Sequence, residues 1–243
     1  VTYATAGKKT VALTINGSVT ETKTSYVTVV DPNAPVVIVG WNFDDSNNTA
    51  DDGLSANSSK TIITNATGTI SYTAGTGGTG TYAITNTGWD NGNGSKAWQT
   101  EFSTLGYNNL TISSKQKGSN TGPKEFKVQY KTTGSAWLDI PSGNITIAND
   151  NYLLGVITNL AMPADAENQA SVSVRWVMGS NLQIGSGNVA SGGTNRIDDI
   201  IVNGKKIATP VQYTLTVSKT GNGTVTPSVG NHPYDTGSSV TLT

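Results

Sequence analysis

Cysteine is absent from the 243 residues, histidine occurs once, and methionine twice. Without cysteine there are no disulfides, no thiolate nucleophile and no cysteine-ligated zinc, and a single histidine excludes a poly-histidine metal site within one chain. Charge is sparse and balanced, with 15 basic residues against 16 acidic ones. No Lys/Arg block stands out, so the electrostatic footprint of a nucleic-acid binder is missing. No run of 18 apolar residues exists, which argues against a membrane-inserting helix. What is abundant is Thr, Ser, Asn and Gly, a composition common among secreted and cell-surface chains. The expectation is an extracellular protein, at or near a cell surface.

The hydrophobic pattern has a period of two nearly everywhere. Residues 1 to 30 alternate at Val11, Leu13 and Ile15, turn at Asn16-Gly17, and alternate again from Tyr26 to Val29, which predicts a strand, a turn and a strand. The stretch "DPNAP" at 31–35 reads as a linker. Strands are predicted at 36–43, 69–73, 80–85, 97–102, 109–116, 124–131, 145–148, 170–178 and 196–203, separated by Gly/Asn/Ser turns. Only 159–169 could hold a helical turn, and Pro163 limits it. After Pro210 a second hairpin is predicted, with Tyr213, Leu215 and Val217 on one strand, a turn at Gly221-Asn222-Gly223, and a return through Val225. The fold class expected is all-β: a central sandwich over 36–208, with small hairpin segments at 1–33 and 210–243.

Three resemblances accompany these patterns. Tyr3, Gly7 and Val11 to Ile15 resemble the last strands of a PKD domain, whose upstream half is missing here. "YTLTV", "GNGTVTP" and "YDTGSSVTLT" in the last segment resemble the first half of a bacterial surface repeat of the internalin B-repeat type. In the middle segment Gly106, Tyr107, Asn109, Leu110, Phe126, Val128, Tyr130 and Trp137 are similar to the body of jelly-roll domains of secreted bacterial proteins. The opening Trp41 to Asp44 and closing Ile197 to Gly204 are similar to the bracketing strands of such domains, including the MAM type and carbohydrate-binding modules. The resemblance implies a jelly roll with its first and last strands side by side, in a multimodular extracellular protein whose modules neighbour one another.

Candidate chemistry is thin. "WNFDD" (41–45) and "NRIDDIIVNG" (195–204) each carry adjacent carboxylates within a predicted strand, where Asp is disfavoured. If the two strands pair, Asp44 and one of Asp198 or Asp199 would repel unless a hard cation lies between them, so a structural calcium is expected there. The competing reading is that these acids cap turns or pair with a base. "DDSNNTADDG" at 44–53 lacks the glycine and glutamate of an EF-hand loop. A Ser-His-Asp triad would need His232, which lies in a turn-like segment beside Pro233. Glu101, Glu125, Asp139 and Asp150 could approach across a sheet, but nothing in their spacing demands a glycosidase pair. "GTGGTGTY" at 75–82 is not followed by a helix and reads as a hairpin loop rather than a phosphate cradle. The expectation is a non-catalytic module.

Polysaccharide or cell-surface glycan binding is the leading expectation. It requires an exposed aromatic ring to stack on a sugar, flanked by planar hydrogen-bonding side chains. Trp89, in "NTGWDNGNG", is read as the aromatic most exposed, while Trp41, Trp98 and Trp137 are read as core or corner residues. If Val172, Val174 and Trp176 form a buried row, Arg175 joins Lys127 and Gln129 on the outward face, with Val128 and Tyr130 inward. The alternative is a structural or adhesive spacer without a ligand, discriminated by whether an aromatic side chain is exposed on a sheet face.

Overall fold

The computed structural model describes residues 5–15, 19–29, 31, 33–77, 80–208 and 211–243, and within them the chain is almost entirely β. An N-terminal hairpin pairs β1 (Gly7–Ile15) with β2 (Val19–Val29) antiparallel, with a bulge between Lys9 and Val11. The turn expected at Asn16-Gly17 lies outside the described residues. The chain divides into two compact units, Val1–Lys206 and Ile207–Thr243.

The body of the first unit is a sandwich of two antiparallel sheets. It contains β3 (Val36–Trp41), β4 (Asp52–Gly53), β5 (Ile63–Thr64), β6 (Ser71–Ala74), β7 (Tyr82–Asn86), β8 (Ala97–Phe102), β9 (Tyr107–Gly118), β10 (Glu125–Thr132), β11 (Leu138–Thr146), β12 (Gly155–Ala161), β13 (Val172–Met178) and β14 (Asn195–Lys206). One sheet runs β11-β10-β13-β8-β5. The other runs β12-β9-β14-β3-β4, with the β6–β7 hairpin added against β14. The expected pairing of first and last strands is present, with Trp41 opposite Ile200 and Val39 opposite Val202.

Strict alternation builds the core. In β10, Phe126, Val128 and Tyr130 are buried, while Lys127, Gln129 and Lys131 lie on the other face. In β13, Val172, Val174 and Trp176 are buried and Arg175 is outward, as period-two reading requires. Four tryptophans lie inside, and each indole N–H finds an acceptor: Trp41 on the Lys60 carbonyl, Trp89 on the Asn86 carbonyl, Trp98 on Asn195 Oδ1 and Trp176 on Ser114 Oγ. The last two bonds cross from the five-stranded sheet to the seven-stranded one and fix the stacking of the layers.

Three sequence expectations change. The strand expected at 145–148 is the end of β11, which begins at Leu138. The segment around 159–169 supplies the edge strand β12 first, and only Ala164–Ala166, just after Pro163, makes a 3-10 turn. β12 escapes a periodicity search because a bulge between Ile157 and Leu160 breaks its alternation. In the second unit, β15 (Gln212–Val217) pairs not with the residues just after Gly223 but with β16 (Gly230–Asp235). The chain takes a longer excursion before returning, with Thr226 and Thr243 exchanging two backbone hydrogen bonds. His232 sits in β16, with its Nε2 2.6 Å from the Ser228 carbonyl.

Candidate functional site: the outer face of the five-stranded sheet

The outward residues of β11, β10, β13 and β8 form rows across the five-stranded sheet. Gln129 is opposite Asp139 on one side and Arg175 on the other, and Arg175 is opposite Gln99, which faces Ile63 of β5. The next row carries Lys131, Ser173 and Glu101. Because neighbouring strands present opposite residues on the same face, sequence parity delivers all of these side chains to one surface.

They are held in place by one another. Arg175 Nε donates to Gln129 Oε1 at 2.8 Å, Gln129 Nε2 donates to Asp139 Oδ1, and Lys127 Nζ donates to Asp139 Oδ2 at 3.1 Å. Hydrogen bonds from Gln129 and then Lys127 hold the Asp139 carboxyl below its ordinary pKa. Partial burial draws the Arg175 guanidinium below its ordinary value, opposed by Asp139. Lys127, Gln129 and Arg175, the three polar residues expected on one outward face, lie on the same face of the five-stranded sheet.

The aromatic residue on this face is Trp137 rather than Trp89. Trp89 is 0% exposed, packed against Trp98 at 5.4 Å and edge-on to Phe126 at 5.6 Å between ring centroids. Its Gly/Asn-rich neighbours suggested a loop tip, but that loop folds inward and the large apolar ring is taken into the core. Trp137, expected in the core or at a corner, is only partly buried. The Arg175 guanidinium lies 4.4 Å from its ring centroid and the Lys131 ammonium 4.9 Å, each such contact contributing about 0.5–1 kcal/mol near the surface. The hairpin register accounts for its place: continuing the β10–β11 pairing of Tyr130 with Leu138 by one step sets Trp137 opposite Lys131, on the outward face.

Trp137 forms one wall of a groove of about 340 Å³ whose opposite wall is the Ser59–Thr61 segment and whose floor includes Gln99, Glu101 and Ser173. A second cavity of about 230 Å³ shares Glu101, Lys131 and Ser173 and extends the depression to the Thr132–Ser135 turn. The larger volume falls at the lower end of the roughly 300–1,000 Å³ typical of ligand sites.

The acid pairs sit elsewhere, at a break in the seven-stranded sheet. One edge of β14 pairs with β7 over Asn195–Ile197 and with β3 from Ile200 onward. Asp198 and Asp199 occupy the switch, where the register with β9 also shifts and Asp199 has φ +45°. Asp198 Oδ2 accepts the Thr76 N–H at 2.7 Å, Asp198 Oδ1 accepts the Asp199 N–H at 2.8 Å, and Asp199 Oδ2 accepts from the Thr76 hydroxyl and from Lys115 Nζ at 2.8 Å. Asp44, just past β3, accepts the N–H of Tyr82 at the start of β7, at 2.9 Å. Gly75 is required here, since a Cβ would stand 2.6 Å from Asp198 Oδ2. Asp44 and the Asp198–Asp199 pair thus fasten the two arms of the β6–β7 hairpin, whose Gly78 and Thr79 lie outside the described residues, while Asp45 accepts from Asn47 in its own turn. Among the described residues no group of three or more His, Asp or Glu side chains is gathered to hold a metal ion.

No protein-family profile matches this chain, and no curated protein matches it in sequence. Several solved structures are similar in fold. One is the CBM22-1 xylan-binding domain of Xyn10C from Paenibacillus barcinonensis, 11% identical with a TM-score of 0.42, covering 72% of this chain and 99% of that chain. Another is TmCBM61, solved in complex with β-1,4-galactotriose, 10% identical with a TM-score of 0.36, covering 66% of this chain and 92% of that one. A third is the K2 cleaved adhesin domain of Lys-gingipain, 12% identical with a TM-score of 0.35, covering 70% and 98%. No described helix is long and apolar enough to cross a membrane.

Proposed function

We propose that this protein is a non-catalytic, extracellular glycan-binding module, and that it binds through the outer face of the five-stranded sheet around Trp137. The observation that carries this reading is an indole held partly open over Arg175 and Lys131 at the wall of a polar groove. A sugar presents an apolar ring face that an indole can cover and a rim of hydroxyls that planar side chains can bond. Gln99, Glu101 and Ser173 lie at the floor to do the second. The hairpins at 1–33 and 210–243 fit, in this reading, as parts of neighbouring modules of one polypeptide. The spacer alternative needs no exposed aromatic, and Trp137 favours binding over it.

Trp137→Ala is expected to weaken binding to the preferred polysaccharide by about tenfold or more, roughly 1.4 kcal/mol, with little change in melting temperature because the ring is not part of the core. Affinity electrophoresis against plant, algal and bacterial polysaccharides, followed by calorimetry, would measure it. No binding across the panel, or equal binding by the variant, would remove the proposal.

A structural calcium ion held by Asp44 with Asp198 or Asp199 is a separate proposal, supported by Asp44 and Asp198 each accepting a backbone N–H of the β6–β7 hairpin, from Tyr82 and Thr76. It predicts a melting temperature that drops on exhaustive chelation and recovers with added calcium chloride. An unchanged melting temperature ends it.

A further inference from the structure

The groove beside Trp137 carries uncompensated positive charge. Lys60 and Lys131 both line it, both are partly buried, and neither has a carboxylate within ion-pair distance among the described residues. On the same face the Asp139 carboxylate is already engaged by Lys127. Arg175, beneath Trp137, bonds the neutral Gln129 rather than an acid. Glu101 is the one carboxylate lining the groove, so its lining charges are two positive and one negative, with the Arg175 cation adjacent.

These cations are also positioned. Lys131 is drawn against the Trp137 ring, and the Lys60 backbone is pinned on both sides: its carbonyl accepts from Trp41 Nε1 and the Ala50 N–H, and its N–H donates to the Asn57 carbonyl. Ammonium groups that line a groove without an ion-pair partner offer a counter-charge to an incoming anion. A neutral sugar would leave that charge unused.

We propose that the groove takes a glycan bearing an anionic substituent, a carboxylate or a sulfate, which the ammonium groups of Lys60 and Lys131 engage while Trp137 covers the sugar ring. This rests on the glycan-binding reading above. Glu101 accepts from sugar hydroxyls and disfavours a substituent placed over its own end of the floor, so the site selects where the charge sits as well as its sign.

The test compares oligosaccharides of matched length by calorimetry on the full chain: an oligogalacturonate for the carboxylate, a sulfated galactan fragment for the sulfate, and an unmodified galactan fragment as the neutral arm. A charged arm is expected to bind about tenfold more tightly than the neutral one at low ionic strength, with the preference shrinking as salt is raised from about 20 to about 200 mM. The tighter charged arm identifies the substituent. Lys60→Gln combined with Lys131→Gln should bring the ratio of charged-arm to neutral-arm affinity to about one, whereas Lys205→Gln, on the other sheet, should keep the preference; near-ultraviolet circular dichroism verifies the fold of each variant. Equal affinity for charged and neutral arms overturns the inference while leaving the glycan reading intact. So does a preference that survives the double variant or disappears in Lys205→Gln, or tighter binding of a single-stranded oligothymidylate than of either charged sugar. Binding of no arm by the wild-type chain is the different result that removes the glycan reading itself, and sugar binding indifferent to Trp137→Ala removes the placement of the site on this face.

Discussion

Trp89→Ala is expected to destabilise the protein by about 3–5 kcal/mol, the range for deleting a buried large aromatic, and to lower the melting temperature by roughly 10 °C for a chain of this size. The indole is fully buried, contacts Trp98 and Phe126, and donates to the Asn86 carbonyl. Its removal leaves a cavity at the centre of an aromatic cluster, and neighbours fixed by their own hydrogen bonds can close it only in part. Trp98, for example, is tied to Asn195 at 2.7 Å. Trp89→Phe retains most of the packing and loses the indole bond, so its cost should be nearer 1–2 kcal/mol, the penalty of an orphaned buried acceptor. Chemical denaturation of the three proteins measures both values. A Trp89→Ala variant with unchanged stability would mean that the ring is not buried in solution and would reopen Trp89 as a surface residue.

The second large effect is on pH. Asp198 is 1% exposed, and burial with the neighbouring Asp199 carboxylate pushes its pKa up to about 7, although the Thr76 and Asp199 N–H groups pull the other way. Its ordinary value, 3.8, applies in the unfolded chain. Between those two values the unfolded state has released the proton and the folded state has kept it. The contribution of Asp198 to stability is therefore complete below about pH 4 and is lost as pH rises to about 7. Three pKa units correspond to at most about 4 kcal/mol. Denaturation across pH 4–8 should show stability declining through this window. In Asp198→Asn, which cannot ionise, that decline should disappear, although the variant starts lower because its amide nitrogen must face an N–H that the carboxylate had accepted. A wild-type profile flat or rising over the same window contradicts the assignment. Asp198 spans the partner switch on β14 and accepts the Thr76 N–H, a bond that favours the ionised carboxylate, so the same protonation weakens this one attachment of the β6–β7 hairpin while it relieves the buried charge.

Much of the sandwich was legible in the alternation of β10 and β13, where parity alone assigned Lys127, Gln129 and Arg175 to the outer face. The pairing of β3 with β14 was implied by the resemblance of the Trp41–Asp44 and Ile197–Gly204 segments to the bracketing strands of jelly rolls, and it is present. Two of the tryptophans, Trp89 and Trp137, were assigned in reverse, while Trp41, Trp98 and Trp176 were read as buried and are. Gly and Asn around Trp89 report a chain that turns, not the direction in which the turn points, and this one points inward. Trp137 precedes an edge strand whose beginning at Leu138 carries exposed residues and no clear apolar period, so its face depended on a hairpin register that only pairing supplies. Of the four acids, Asp198 and Asp199 do lie within a strand, whereas Asp44 and Asp45 fall in the turn after β3. The duty of Asp198 and Asp199 as acceptors for Thr76, and of Asp44 as acceptor for Tyr82, could not be read, because Thr76 lies 122 residues from Asp198 in sequence.

By itself the sequence determined the class of architecture and the sidedness of its strands, since a period of two under a requirement to bury apolar groups leaves one solution per strand. Tertiary structure alone decided which tryptophan faces water, which lysines lack a counter-charge, and where β14 exchanges one neighbour for another. Those properties depend on side chains brought together from strands far apart in the chain, and local periodicity carries no information about distances of that kind.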